Sequence, residues 1–170
     1  PMPVIAASSP TDCFDAAYMA CKIALEHMTP VVLLTDAYIA NGSAAWRLPD
    51  LAEYPDIRPP YVTPDMAGAW TPFQRNPQTG VRYWATPGME GFMHRIGGLE
   101  KSNETGAIST DPENHNLMTR LRAEKVAKIA DSIPDLKVEG NQDVDLLIVG
   151  FGGTYGHLHS AMDELNRRGK

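Results

Sequence analysis

The stretch that decides the fold is Val4-Ile5-Ala6-Ala7-Ser8-Ser9-Pro10-Thr11-Asp12, followed at helical spacing by Phe14, Ala17, Tyr18, Cys21, Ala24, Leu25 and Met28. It closes on Thr29-Pro30-Val31-Val32-Leu33-Leu34-Thr35. Ser9-Pro10-Thr11-Asp12 has the form of a capping box with proline at the first helical position, so a helix is predicted to start there. Proline disfavours helix in the residue before it, so Thr29-Pro30 ends the segment. The two flanking apolar runs lack polar alternation, the pattern of strands buried on both faces. Strand, helix and strand in this order predict a right-handed βαβ unit and a parallel α/β architecture.

Working outward, residues 47–111 hold prolines at 49, 55, 59, 60, 64, 72, 77 and 87 and the doublet Gly97-Gly98, which exclude long regular elements. The same stretch carries Tyr54, Tyr61, Trp70, Phe73, Tyr83, Trp84 and Phe92. Disordered linkers fail to fold because they lack such apolar area, so an ordered, irregular segment that packs on something is predicted. Asp111-Pro112-Glu113-Asn114 repeats the cap-then-proline signature, and Leu117, Met118, Leu121, Val126, Ile129 and Ala130 extend a helix to about Ser132. Asp145-Leu146-Leu147-Ile148-Val149-Gly150 reads as a further buried-type strand. It runs into Gly152-Gly153-Thr154, with Thr154 as the expected N-cap of a helix carrying Leu158, Ala161, Met162 and Leu165. One strand and one helix make no sheet, so a second α/β domain is expected to begin here.

Composition sets the outer limits. The 170 residues, 43% of them hydrophobic, suffice for a globular core. The formal net charge of −6 argues against nucleic acid or an anionic membrane as partner, since both demand a basic patch. The start Pro1-Met2-Pro3 has no basic region leading into an apolar one, and no apolar run reaches the roughly 18–20 residues of a membrane span. The cytoplasm is the expected compartment. Cys13 and Cys21 would lie about 12 Å apart along one helix, too far for a disulfide, and are expected to be small buried hydrophobes.

Several motifs invite a chemical reading. Gly150-Phe151-Gly152-Gly153-Thr154-Tyr155-Gly156 has the outline of a dinucleotide turn, but Gly156 follows Gly152 by four positions rather than three. A tight turn that lets a helix approach the sheet is the plainer reading, with nucleotide binding as a rival. His157 and His159 on a helix point about 200° apart and cannot chelate one ion, so no metal site is expected from this chain. Ser8, Ser9 and Ser43 lie in no nucleophile elbow. Arg120-Leu121-Arg122-Ala123-Glu124-Lys125 is mixed in sign, the mark of a solvated helix face.

At the level of extended motifs the chain resembles the alpha subunits of 2-oxoacid:ferredoxin oxidoreductases, the 2-oxoglutarate type above all. The resemblance is carried by Val4 to Phe14, Thr29 to Ala40, Ala85-Thr86-Pro87-Gly88-Met89, Gly98-Leu99-Glu100 and Thr110 to Asn114. It implies that residues 1–46 form the last part of a pyrimidine-binding domain and 47–140 a crossing segment with its helix. Residues 141–170 would open a transketolase C-terminal-like domain. The resemblance further implies oxidative decarboxylation of a 2-oxoacid to an acyl-coenzyme A, with thiamine diphosphate and Mg²⁺ in the intact enzyme and electrons passed to ferredoxin. An iron–sulfur cluster would sit on a beta subunit. The sequence has neither a Gly-Asp-Gly motif nor a Cys-x-x-Cys, so no catalytic, cofactor-binding or metal residue carries over, and the isolated chain is expected to be inactive. A rival reading makes it an assembly module whose aromatic, proline-rich middle docks a partner.

Overall fold

Val4–Ala6 forms strand β1 and Val32–Leu34 forms strand β2 in the computed structural model, which describes residues 1–141, 143–144 and 146–169. They pair in parallel, with Val4 opposite Val32, Ile5 opposite Leu33 and Ala6 opposite Leu34. Parallel neighbours need a crossover, and helix α1, Cys13–His27, supplies it. The predicted βαβ unit is therefore present. Ile5, Leu33 and Cys13 pack around fully buried Ala7, with Ala16 of α1 and Ile39 completing the cluster. Side chains alternate along a strand, so Val4, Val32 and Leu34 share the other face, where they are 48%, 37% and 44% exposed. The expectation of cover on both faces is thus corrected: one face of this sheet is open.

The start of α1 also differs from its prediction. Residues 10–12 form a turn, and the helix begins at Cys13. The capping atoms nevertheless meet as the motif requires at one end, because the Asp12 amide donates to Ser9 Oγ at 3.2 Å. The Asp12 carboxylate reaches one residue further back and accepts from the amide and hydroxyl of Ser8 at 2.8 and 2.9 Å. At the other end Met28 adopts a left-handed φ of 46°, so the chain leaves the helix before Thr29-Pro30. Burial is expected of both cysteines, but Cys13 is only half-buried and Cys21 is exposed; both are free thiols.

The chain divides into two compact units. One joins residues 3–21, 31–55 and 134–170, and the other joins 1–2, 22–30 and 56–133. In the first, α2, Ala37–Asn41, follows β2 directly, and α4, Tyr155–Arg167, comes last. Residues 146–149 form no strand; Leu146, Leu147, Ile148 and Val149 are exposed, and the predicted first residue, Asp145, lies outside the described residues. A strand exists only where a neighbour supplies its ladder, and no described residue does so here. Thr154 precedes α4 as predicted, yet its hydroxyl caps no helical amide. It is engaged by Phe151, accepting from the amide at 3.1 Å and donating to the carbonyl at 2.9 Å.

In the second unit the irregular middle is ordered, as its aromatic content predicts. Val62, Val81 and Phe92 are buried, as are Met118 and Ile129. Trp70 meets Phe92 and His94 edge to face, with ring centroids 5.6 and 4.9 Å apart. Buried Lys101 is solvated by carbonyls, donating to Gly97 O at 3.0 Å and to Leu99 O. Helix α3, Pro112–Ala127, starts at the predicted cap, where the Asp111 carboxylate accepts from the Glu113 amide at 3.0 Å. A tighter turn, Lys128–Ser132, finishes it at the predicted residue.

Candidate functional site

Parallel α/β sheets bind ligands outside the carboxyl ends of their strands, because there the backbone leaves the sheet in loops with free polar groups. Here β1 delivers Ser8, Ser9 and Asp12 to that edge and β2 delivers Asp36. The Ser8–Asp12 loop is tied by the Asp12 bonds described above, and Ser9 Oγ lies 3.0 Å from Thr11 Oγ1. Asp36 caps α2, its Oδ1 accepting from the Ile39 amide at 2.9 Å.

The turn that opens α4 forms a wall of this edge. Gly152 holds a left-handed φ of 63°, and a Cβ there would lie 3.4 Å from Ala6 Cβ. At Gly153 a Cβ would lie 2.1 Å from Asp36 Oδ2. The loss of a side chain at Gly153 is what lets the carboxylate and the turn meet, as the tight-turn reading of this motif expected. A carboxylate against the turn is the wrong neighbour for a pyrophosphate.

Beside the edge, an open groove of about 410 Å³ is lined by Ser8, Thr11, Asp12, Asp15, Ala45, Trp46 and Arg47. Phe14 braces it, stacking tilted against Trp46 and edge-on against Tyr54 with centroids 5.8 and 5.7 Å apart. Tyr54 donates its hydroxyl to Asp15. That bond, with burial and the neighbouring acids, pushes the phenol up to about 12 and keeps it a donor.

The histidines are scattered. His157 lies against Tyr38, while His159 sits between Glu139 and Asp163 at 3.5 and 3.4 Å. His115 pairs with Glu100 at 2.7 Å, His94 Nδ1 lies 2.8 Å from Phe92 O, and burial lowers the His27 pKa. Among the described residues no three His, Cys, Asp or Glu side chains converge as a metal cage. The Arg120–Lys125 run is not wholly solvated, and this corrects the reading of it. Lys125 is partly buried, donates to Met28 O at 2.5 Å, and has its pKa lowered to about 8 by burial and by Arg75, Arg82 and Arg122. Asp36 and α2 escaped sequence reading, although Asp36 with Ile39 three residues on is a legible cap once an apolar run has ended.

Residues 1–114 match the thiamine diphosphate-binding family of pyruvate flavodoxin/ferredoxin oxidoreductases. The chain belongs to this family. Among its relatives, the 2-oxoglutarate oxidoreductase subunit KorA of Mycobacterium tuberculosis is 44% identical over 170 residues, 99% of this chain and 25% of that protein. The 2-oxoglutarate synthase subunit KorA of Methanothermobacter thermautotrophicus is 25% identical over 85% of this chain and 37% of its own length. A solved 2-oxoglutarate:ferredoxin oxidoreductase from Magnetococcus marinus, with 2-oxoglutarate, coenzyme A and succinyl-CoA bound, superposes with a TM-score of 0.86 at 25% identity. It does so over 99% of this chain and 29% of that one. The chain thus spans about a quarter of the length of the first of these relatives. The predicted α/β class and the resemblance to 2-oxoacid:ferredoxin oxidoreductases are borne out by this family membership. No helix among the described residues is long and apolar enough to cross a membrane.

Proposed function

We propose that this chain works as a segment of the alpha subunit of a 2-oxoglutarate:ferredoxin oxidoreductase, which converts the 2-oxoacid and coenzyme A to an acyl-coenzyme A and passes electrons to ferredoxin. The observation that carries the reading is 44% identity across nearly the whole chain to a 2-oxoglutarate oxidoreductase subunit. The solved structure with 2-oxoglutarate and coenzyme A bound supports it. Its partners in this reading are a beta subunit and ferredoxin, and its compartment is the cytoplasm, where the free thiols Cys13 and Cys21 stay reduced. Residues 1–46 serve as the last part of a pyrimidine-binding domain, 47–140 as the crossing segment, and 141–170 as the start of the following domain.

The donor set at the strand edge suits one part of thiamine diphosphate and not the rest. Ser8, Asp12 and Asp36 offer hydroxyl and carboxylate oxygens, which accept from an amine-bearing heterocycle. The same acids repel a diphosphate, and no cluster of described residues would hold its Mg²⁺. When bound, thiamine diphosphate supplies the electron sink for loss of carbon dioxide. This chain supplies a wall of the ring-binding side: Asp36 is fixed by its α2 cap and Gly153, Asp12 by both groups of Ser8. Neither carboxylate needs to reorganise when a ligand arrives.

The test is dye reduction. The whole alpha subunit, purified with its beta subunit, reduces viologen when given 2-oxoglutarate and coenzyme A, whereas this 170-residue chain with thiamine diphosphate and Mg²⁺ does not exceed a buffer control. Turnover by the isolated chain, or a complex that accepts only other 2-oxoacids, overturns the proposal.

A further inference from the structure

Away from the strand edge, the second compact unit gathers three cations for which no described acid serves as an ion-pair partner. The Asn76–Gly80 turn places Arg75 and Arg82 opposite one another in an antiparallel bridge. Helix α3 lays Lys125 on this hairpin, its Cβ 3.6 Å from where a Gly80 Cβ would sit. The three side chains find only neutral partners. Arg75 Nη1 donates to Gly80 O at 3.0 Å, Arg82 Nη1 to Pro72 O at 3.3 Å, and Lys125 Nζ to Met28 O. Arg82 also stacks over Phe73 at 4.4 Å, and Lys128 donates to Gln78 O at 2.7 Å and Pro77 O at 3.4 Å. None of Arg75, Arg82 and Lys125 forms an ion pair with another described residue, whereas neighbouring Arg122 has Glu100 at 3.3 Å. Arg75 Nε is buried without a partner.

Such an arrangement is unfavourable as it stands. Partial burial strips water from each cation, and the cations repel one another through a medium less polar than water. Acid is not scarce, since the chain has 21 Asp and Glu against 15 Lys and Arg, yet no described one pairs with this cluster. A missing counter-charge at a half-exposed cluster is the signature of a ligand that brings it.

We propose that Arg75, Arg82 and Lys125 form a binding site for a multiply charged phosphate-type anion. Two guanidinium forks match tetrahedral phosphate oxygens and an ammonium adds a point charge, so a di- or trianion fits better than a single carboxylate. The anion is either a free diphosphate or the phosphates of coenzyme A, and only the second source rests on the reaction proposed above.

Calorimetric titration of the full chain with inorganic pyrophosphate at low ionic strength tests this. Saturable binding is expected, weakening with added salt. Lys125→Met and Arg82→Gln each weaken it about ten- to a hundredfold, the equivalent of one lost charge-assisted hydrogen bond. Arg120→Gln, on an exposed residue of the same helix, leaves it unchanged. Binding near pH 8.5 takes up protons as the anion restores the Lys125 charge, and this uptake vanishes in Lys125→Met. Competition by coenzyme A but not by pantetheine, which lacks the nucleotide phosphates, assigns the source to the coenzyme. Competition by neither assigns it to free phosphates, and both results uphold the site. Absence of saturable binding, or binding by Lys125→Met and Arg82→Gln as tight as that of the unaltered chain, overturns the proposal and leaves the cluster to a carboxylate of another chain. The viologen assay is indifferent to that outcome, so the two readings fail separately.

Discussion

Replacing Gly153 with alanine tests whether the strand edge is built on the contact between the α4 turn and Asp36. A Cβ at residue 153 would lie 2.1, 2.9 and 3.0 Å from Asp36 Oδ2, Cγ and Oδ1, so all three nearest atoms belong to one carboxylate. Two escapes exist. Asp36 can swing away, which breaks its 2.9 Å bond to the Ile39 amide and costs about 1 kcal/mol as a lost N-cap. Alternatively the carboxylate stays and the turn retreats, an overpacking that costs about 1–3 kcal/mol. The cheaper route prevails, so Gly153→Ala should destabilise by about 1–2 kcal/mol, or roughly 2–8 °C in melting temperature for a chain of this size. Urea unfolding of the single and double variants measures it. Asp36→Ala alone loses the cap, but it removes the atoms that the new methyl group strikes, so adding Gly153→Ala to it should cost less than about 0.5 kcal/mol. Full additivity of the two costs, or an unperturbed Gly153→Ala, would refute the reasoning.

Two further perturbations follow from single contacts. Asp111→Ala removes the acceptor of the Glu113 amide at the start of α3 and should cost about 1 kcal/mol in urea unfolding, while Asp111→Asn, which keeps an oxygen there, should cost less than half of that. Lys125 has its pKa lowered from 10.5 to about 8, first by burial and then by Arg75, Arg82 and Arg122. Between these values the unfolded chain binds more proton than the folded one, so stability should rise as pH climbs from about 8 to 10.5. In Lys125→Met that rise should shrink, and an unchanged pH profile of melting temperature would contradict the assignment.

What was legible in the sequence was what neighbours along the chain decide. The caps at Ser9–Asp12 and Asp111, the stop at Thr29-Pro30 and the turn at Gly152-Gly153 each rest on residues within four positions of one another. The structure places them within a few residues of expectation. Lys125 was misread because charge order along a helix says nothing about which face another segment covers; the Arg75–Arg82 hairpin that buries it lies more than 40 residues away. Asp36 was missed for a related reason, since its second role, against Gly153, joins positions 117 residues apart.

The two errors about the sheet have a common physical source. Continuous apolar runs such as Val31–Leu34 and Leu146–Val149 encode burial on both faces, but a strand's partners are never in its own sequence. Here β1 and β2 have three residues each and one open face, and 146–149 have no ladder at all. A two-stranded ribbon of that length is not stable by itself in water. The open face of Val4, Val32 and Leu34 and the exposed Leu146–Val149 run therefore describe the same deficit, apolar surface in excess of what the described residues cover. The edge that holds Ser8, Asp12 and Asp36 takes its local geometry from bonds within this chain, the Asp12 carboxylate on Ser8 and the Asp36 carboxylate on the Ile39 amide.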